Sequence, residues 1–581
     1  MPQFPIAQRL TLLLLGLMLA LPFLQPIHHH PIPSFYEEWL ALLLGVLALA
    51  SFFISRPEKI SLPAILWLPG LLLLATLLQL AGGMIQIPML GLFQSGYLLW
   101  AMALICLSAS LRERFGTAWL VQVLALALLA GALASALTAY AQRLGTPVPW
   151  QILMPNSGRI YGNLGQPNLL TTQLWLGICC LIYFHELRRV RPWLLIAGLL
   201  ILASACGLVA SRTAWLHGLA LLLLAGLPWP SRAALPATEQ DEAHRTVPQA
   251  PGKLRRQRLL LLAFTLVSLI AAGEISRTLP WQHAAGQINA FDRLRSGLVS
   301  GDSRLLIWRD ALTMIQAHPW LGNGTGNYAW RTVEAAAQAP AGVDTLAGAE
   351  HAHNFLLQLA ADFGLPLTLA VAIFAIVWLR HVLRGPLRPP EQLALAMLML
   401  IAIHSQLEYP LWHAEFLGLT AVLLGALGST GKSFRLPRPQ LLLIACLAAL
   451  AILGTLFHDY RILDQALIMR REVRGDEADW RRRMDVFADL AQHSILGPYA
   501  RSTLAVLMHP DPQKAADQSL ICEAAMPLRV APELMTKCAM LRQMTGRPAE
   551  AQALLEMTRR AFRSAEDRAA IESIWQSQEQ P

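Results

Sequence analysis

The chain has 581 residues, of which 55% are hydrophobic and 14% charged, and its mean hydropathy is +0.45. Apolar residues spread this evenly over such a length exclude a soluble globular protein and indicate a polytopic membrane protein. The net charge of +9 resides mostly in short loops between apolar stretches, so it marks topology and argues against nucleic-acid binding.

Apolar stretches of about spanning length run near 10–27, 38–54, 61–81, 89–111, 118–140, 168–184, 193–210, 214–229, 259–273, 355–380, 391–407, 412–428 and 440–457. They predict an all-α protein with about thirteen transmembrane helices. The count is uncertain by one or two, because 259–273 is shorter than the ~17 residues a span needs and 411–413 reads as a tight turn. Residues 1–27 have the outline of a signal peptide but lack a small-residue cleavage site, so they read as a first transmembrane helix.

Lys and Arg in short loops favour the cytoplasmic side. Loops holding Arg56 and Lys59, Arg112 and Arg114, Arg188, Arg189 and Arg191, Lys253 to Arg258, Arg380 to Arg388, and Lys432 to Arg438 all fall on one face. The intervening short loops hold only Arg143, Arg159 and Arg212. This alternation places the N-terminus in the cytoplasm and the C-terminal tail outside the inner membrane.

Three polar regions divide the chain. Residues 1–273 carry the N-terminal spans and a linker at 231–257 that is rich in Pro, Ala, Glu and Gln. A large external loop occupies 274–354, with a helical pattern at 303–317 and a turn-rich P-W-L-G-N-G-T-G-N run; loops of this length are usually functional. After the spans of 355–457, the segment 458–581 is a helical domain. Its stretch 546–562 carries the small-residue spacing of a tetratricopeptide helix, although a generic helical bundle fits equally well.

Five of the seven cysteines lie in apolar spans as small packing residues. Cys522 and Cys538, in the outer tail, form either a disulfide in an oxidising compartment or two buried thiols.

Four polar clusters map to the outer face: 157–168 (S-G-R-I-Y-G-N-L-G-Q-P-N), 211–213 (S-R-T), the large loop with His351 and His353, and 404–410 (H-S-Q-L-E-Y-P). The loop holds Arg277, Arg293, Arg295, Arg304, Arg309 and Arg331 but no Lys. Arg on the outer face opposes the topology rule and suits bidentate recognition of phosphate. About half of these arginines are expected to pair within the loop with Asp292, Asp302, Asp310 and Glu334. Arg212 has no carboxylate near it in sequence.

His351, His353 and Glu350 are dense enough to suggest a metal. However, an i, i+2 pair converges only in an extended strand, so a single imidazole acting as general base is the better use, and neither a metal nor another cofactor is expected. The run 28–30 (H-H-H) has no acids beside it and receives no role. His217 reads as a packed core residue. The segment 428–433 (G-S-T-G-K-S) ends like a P-loop, but Ala426 stands where glycine is required.

These clusters resemble the bacterial O-oligosaccharyltransferases, the pilin glycosylation ligases within the O-antigen ligase and polymerase superfamily. His353-Asn354 is followed by nine residues and Gly364, as in the superfamily signature, while Leu367 departs from the expected Gly, Thr or Tyr and Thr368 follows. R-I-Y-G-N-L-G-Q-P-N resembles the protein-glycosylating branch, S-R-L-L-I-W and H-P-W-L-G-N-G-T-G-N-Y the outer loop, and L-E-Y-P a late tyrosine motif.

The resemblance implies transfer of a preassembled glycan from undecaprenyl pyrophosphate to Ser or Thr hydroxyls of pilin or other periplasmic proteins, by an inverting, metal-independent displacement. It implies His353 as base, Arg212 and Arg304 on the pyrophosphate, and Gln166, Asn168, Tyr409, Asn354 and Arg159 as further substrate-binding residues. An O-antigen ligase acting on the lipid A core, or a polymerase, is the alternative. A polysaccharide transporter would need polar residues at mid-membrane depth, whereas here they gather at the outer rim.

Overall fold

The computed structural model describes residues 5–146, 159–209, 211–227, 251–278, 303–340, 343–385, 387–428, 432–472 and 477–576. The chain is an all-α polytopic membrane protein. Its membrane part comprises α1 (Ile6–Met18), α2 (Phe35–Ile54), α3 (Trp67–Ala81), α4 (Pro88–Phe115), α5 (Thr117–Leu144), α6 (Pro167–Glu186), α7 (Pro192–Leu208), α8 (Thr213–Gly226) and α9 (Pro251–Thr278). The outer-loop helices α10 (Ser303–Ala317), α11 (Tyr328–Gln338) and α12 (Phe355–Phe363) follow. The remaining membrane helices are α13 (Leu365–Arg384), α14 (Pro389–Ser405), α15 (Ala414–Leu427) and α16 (Pro439–Glu472). Among the described residues nine helices are long and apolar enough to span a bilayer, with shorter apolar helices α7, α8 and α15 between them.

The centre is α6, apolar on all sides and buried from Leu169 to Phe184 against α5, α7, α8 and α14. At the periphery, α13 and α16 expose Leu369, Ile373, Ile376, Leu441, Ile444 and Leu447. Such surfaces are stable only against lipid.

Three elements differ from the sequence expectation. The basic run 253–258 is not linker but the first turns of α9, since Lys, Leu, Arg and Gln are good helix formers; residues 231–250 of the expected linker lie outside the described residues. The stretch 355–380 is two helices, broken at Gly364, so the span begins at Leu365. No break separates the last span from the tail at 458, because α16 continues to Glu472.

A two-stranded antiparallel ribbon, absent from the sequence reading, pairs β1 (Lys59–Leu62) with β2 (Lys432–Arg435). It joins two of the basic loops directly. On the same face, Arg258 donates to Glu186 at 2.5 and 2.7 Å and to Gln392 at 2.8 Å. Ser51 at the end of α2 binds the carbonyl of Ala7 at 2.7 Å, which brings the start of α1 to this face as well.

The tail is a run of packed helices: α17 (Glu477–His493), α18 (Gly497–Leu507), α19 (Ala515–Ala525), α20 (Pro532–Met544), α21 (Pro548–Ala561) and α22 (Ala565–Gln576). Cys522 on α19 and Cys538 on α20 are bonded, with Cα atoms 5.6 Å apart. Val333 and Ala336 of α11 share an apolar core with Leu534, Met535, Leu554 and Leu555 of the tail. Arg563 locks that contact, donating to the carbonyls of Ala336, Ala339, Pro340 and Val343 at 2.7–3.1 Å. The Ala336 carbonyl lies in the last turn of α11, where a helix has unsatisfied acceptors, and the other three follow that helix.

The break at Gly364 gives the nine-residue spacing after His353-Asn354 a physical cause. Gly364 has φ +84°, and a Cβ there would lie 2.4 Å from the Trp320 carbonyl oxygen; reciprocally, a Cβ on Gly322 would lie 2.3 Å from Asp362. Two chain segments therefore cross in backbone contact, and only glycine fits both the torsion and the gap. Gly364→Ala is expected to destabilise the protein by roughly 2–4 kcal/mol, read as a lowered thermal midpoint in detergent. Gly454→Ala, with open space around it in α16, serves as the neutral comparison; equal midpoints for the two variants would refute the crossing argument.

Candidate functional site

The face opposite the basic loops gathers around one residue that the sequence reading quoted within L-E-Y-P but did not single out, Glu408. Its side chain is 7% exposed. One carboxylate oxygen accepts from Arg304 Nη2 at 2.5 Å and Asn168 Nδ2 at 2.8 Å. The other lies 2.6 Å from His353 Nδ1 and accepts from Gln166 Nε2 at 3.4 Å. Four donors from three distant segments thus converge on one carboxylate, matching its acceptor capacity.

Each donor is placed by its local structure. Gln166 is the residue before α6, and Pro167 and Asn168 open that helix. Ser211 donates to Asn168 Oδ1 at 2.7 Å and Thr213 reaches the same atom at 3.4 Å, which fixes the amide so that its NH2 faces Glu408. Arg304 lies in the first turn of α10. His353 has φ +49°, a left-handed conformation uncommon outside glycine. Such a torsion is held only where the surroundings over-determine it. Here Gln358 accepts from Ala352 N at 2.7 Å on one side of His353, and Asn354 caps α12 on the other, accepting from Leu357 N at 3.0 Å.

The carboxylate fixes the imidazole. Since Glu408 is an acceptor, His353 Nδ1 carries the proton, and Nε2 of the neutral ring is left as the basic atom. Burial by itself would raise the Glu408 carboxyl; the hydrogen bond from His353, and then the charge and hydrogen bond of Arg304, outweigh it and hold the group down at about 2. A depressed carboxyl stabilises the fold fully above the ordinary carboxyl range, and that contribution is lost as pH falls toward 2.

Tyr409 packs between the two histidines of the loop, with ring centroids 5.2 Å from His353 and 4.5 Å from His351. Its hydroxyl is pushed up to about 12 by burial first and by Glu408 and Glu350 after it. A cavity of about 1620 Å³ adjoins the cluster; Tyr161, Gln166, His351 and Tyr409 line it, as do Tyr499 and Arg529 from the tail.

The structure therefore brings Gln166, Asn168, Arg304, His353 and Tyr409 together. Asn354 stands next to them, but both ends of its amide are engaged, the nitrogen donating to the Gln406 carbonyl at 3.2 Å. Arg212 enters through its neighbour Ser211 and precedes α8. Arg159 is half-buried just before Ile160, two residues from Tyr161 of the cavity wall. Within the loop, Arg309 pairs with Asp310 and Arg331 with Glu334, at 3.3 and 2.7 Å; Arg277, Arg293 and Arg295, with Asp292 and Asp302, lie outside what is described of the side chains. One reading is corrected: the 28–30 run is not without acids. His29 Nδ1 lies 2.9 Å from Asp464 of α16, a partner more than four hundred residues away. His217 is fully buried and bonds the Leu400 carbonyl at 3.2 Å, a packed core residue.

Comparison with known proteins bears on the same segments. The family described as "O-Antigen ligase" matches residues 197–372, and the family described as "Virulence factor membrane-bound polymerase, C-terminal" matches 392–574. The chain is 26% identical over 425 residues to the General O-oligosaccharyltransferase of Acinetobacter baylyi, an alignment covering 72% of this chain and 69% of that protein. Over residues 197–372 the chain is thus similar to O-antigen ligases. No solved structure matches it.

The match to the first family ends at Val371–Ala372, just past Gly364, and so contains Arg212, Arg304, His353 and Asn354. The second contains Glu408 and Tyr409. Glu408 was missed because nothing in a lone acidic residue reveals four long-range donors, although a carboxylate at the rim of an apolar span is itself a signal. Glu408→Ala would leave Arg304 and His353 without their acceptor, and the expected loss is about 3 kcal/mol. Glu408→Gln should retain more stability than Ala by thermal unfolding in detergent. Unchanged midpoints in both would show that the carboxylate is not the centre of the cluster.

Proposed function

We propose that this protein transfers a preassembled glycan from undecaprenyl pyrophosphate to Ser or Thr hydroxyls of pilin or other periplasmic proteins. The observation that carries the reading is the His353–Glu408 pair, which leaves an oriented imidazole Nε2 at the membrane boundary, with arginine beside it. The match to the O-antigen ligase family and the name of the Acinetobacter relative support a glycan ligase acting on a protein.

The chemistry asks for three things. Nε2 of His353 takes the proton of the acceptor hydroxyl as its oxygen attacks the anomeric carbon; the bond from that carbon to the phosphate oxygen breaks, and the pyrophosphate leaves with the electron pair. Attack opposite the leaving group inverts the anomeric centre, and no step passes through a metal. Arg304 and Arg212 supply fixed positive charge for the departing diphosphate. Glu408 and Asn168 are positioning residues, acting through His353 and Arg304, while Gln166 and Tyr409 line the cavity where the donor sugar and acceptor would meet, with Arg159 two residues from Tyr161 of its wall.

The face bearing β1 and β2 is assigned to the cytoplasm of a bacterial inner membrane, since the basic loops cluster there. The opposite face, with His353 and the tail, is then periplasmic. The Cys522–Cys538 bond agrees with that oxidising compartment. The match of 392–574 to a polymerase family favours a second reading, in which the acceptor hydroxyl belongs to another glycan. The same base and leaving group would serve, and the acceptor alone tells the two apart.

Co-expression with a lipid-linked glycan pathway and candidate acceptors, with glycopeptides detected by mass spectrometry, tests the proposal directly. His353→Ala should lower transfer by about 10²–10⁴ while leaving membrane insertion and donor-lipid binding nearly intact; His351→Ala should be milder. Near wild-type transfer by folded His353→Ala would eliminate the imidazole-base mechanism. For the arginines, Arg304→Lys and Arg212→Lys should keep part of the donor affinity and the Ala variants should lose far more. Exported protein should show no alkylatable thiol at Cys522 or Cys538 without reduction, and labelling of both would contradict the periplasmic placement of the tail.

A further inference from the structure

A second group of ionisable side chains lies across Tyr409 from His353. Glu37 stands in the first turn of α2, His413 immediately precedes α15, and Glu415 is in its first turn. His413 Nδ1 is 3.7 Å from a carboxylate oxygen of Glu37 and 3.7 Å from one of Glu415. One ligand-type atom from each of the three lies within 4.8 Å of the others. The two carboxylates are 4% and 2% exposed.

Two of these groups carry an atom without a hydrogen-bonding counterpart. His413 Nδ1 and Glu415 Oε2 are buried with no partner. His28 Nε2 is 3.8 Å from Glu37, but it lies 2.6 Å from the Asn163 carbonyl, which can only accept, so its hydrogen is directed there. The neighbouring Glu38 is engaged by the Tyr97 hydroxyl at 2.5 Å. Among the described residues no Lys or Arg pairs with Glu37 or Glu415. Two adjacent carboxylates buried in this way repel each other and are costly to desolvate unless a cation or a proton neutralises them. A proton on Glu415 Oε2 would itself be an unpaired buried donor, so a proton answers the charge and not the hydrogen-bond deficit.

We propose that Glu37, His413 and Glu415 bind a divalent transition-metal ion, Zn²⁺ or Mn²⁺. One imidazole and two carboxylates form a ligand set suited to these ions and poor for an all-oxygen Ca²⁺ site. Bonds of about 2.0–2.2 Å require ligand atoms roughly 3–3.5 Å apart, so the 3.7 Å separations need to close by only a few tenths of an ångström. The bound ion would join the start of α2 to the start of α15. It would also hold the His413 ring, which stacks on Tyr409 at 5.9 Å between centroids and 14° between planes. The metal thus supports the Tyr409 side of the catalytic cluster and takes no part in the displacement at His353.

The test uses untagged, full-length protein purified in detergent, dialysed against micromolar ZnCl₂ or MnCl₂ and then against metal-free buffer, with metal content measured by inductively coupled plasma mass spectrometry. The expected result is about one ion retained per chain, falling to background in Glu415→Gln and His413→Ala but unchanged in His353→Ala. Wild-type protein should also gain thermal stability on metal addition, and His413→Ala should not. Wild-type protein that retains no ion overturns the proposal whether or not the variants fold. So does retention that survives His413→Ala, or that is lost in His353→Ala, which would move the ion to the loop histidines.

Discussion

The face around His353 depends on keeping one carboxylate ionised where little water reaches it. A buried charge of this kind is tolerated only when hydrogen-bond donors surround it, because desolvation costs several kcal/mol per ion. Glu408 obtains its donors from the start of α6, the start of α10 and the loop before α12. The consequence runs both ways. Glu408 needs those segments to remain charged, and the segments, which share no sequence proximity, are held in register by it. Loss of any one donor reorients the rest, so the histidine, the arginine and the asparagine behave as a unit and their deletions should be non-additive.

A second constraint keeps the loop from drifting away from that carboxylate. Loops of this length are entropically expensive to order, and the structure orders this one from both ends. On the membrane side, the backbone crossing of Gly322 and Gly364 presses the P-W-L-G-N run onto the end of α12, and Gln79 from α3 donates to the carbonyls of Leu321 and Asp362 at 3.1 and 2.7 Å. On the far side, α11 is sandwiched into the tail, with Arg563 on its terminal carbonyls. The tail is therefore more than an appendage: by holding α11 it limits how far α10, and with it Arg304, can move from Glu408. It also contributes Tyr499 and Arg529 to the cavity wall.

Much of this was legible in the sequence, for definable reasons. Spans show because hydrocarbon imposes a long, continuous apolar signal, and the 303–317 helix shows because its apolar residues recur at helical spacing, matching Ser303–Ala317 of the structure. Basic loops sort to one face because the electrostatic bias is local to each loop, and β1–β2 pairing and Arg258–Glu186 join loops sorted that way. What stayed hidden is non-local. Glu408 appeared in a quoted motif, yet its donors are 55 to 242 residues away. Asp464 was invisible to the histidine run for the same reason, and Glu37 with His413 and Glu415 could not be assembled from opposite ends of the chain. The helical start of α9 was lost for a different cause: a charged run that is a good helix former carries no apolar periodicity to announce itself.

The two loop histidines show how position divides labour between chemically identical groups. His351 and His353 are two residues apart and both touch Tyr409. His351 is driven down to about 3 by burial first, against a smaller opposing pull from Glu408. Its Nδ1 is buried without a partner. A ring so buried, with no carboxylate hydrogen-bonded to it, is a poor recipient of a proton. His353 differs on each count: its side chain is 27% exposed, its Nδ1 is 2.6 Å from an ionised carboxylate, and its backbone adopts a torsion that aims the ring at that carboxylate. A proton arriving at Nε2 of His353 creates a cation next to Glu408, whereas the same proton on His351 would create one in an apolar wall. The energetic preference for His353 therefore comes from where the loop turns after Ala352, and that turn is fixed by the Asn354 cap and the Gln358 hydrogen bond on either side of it.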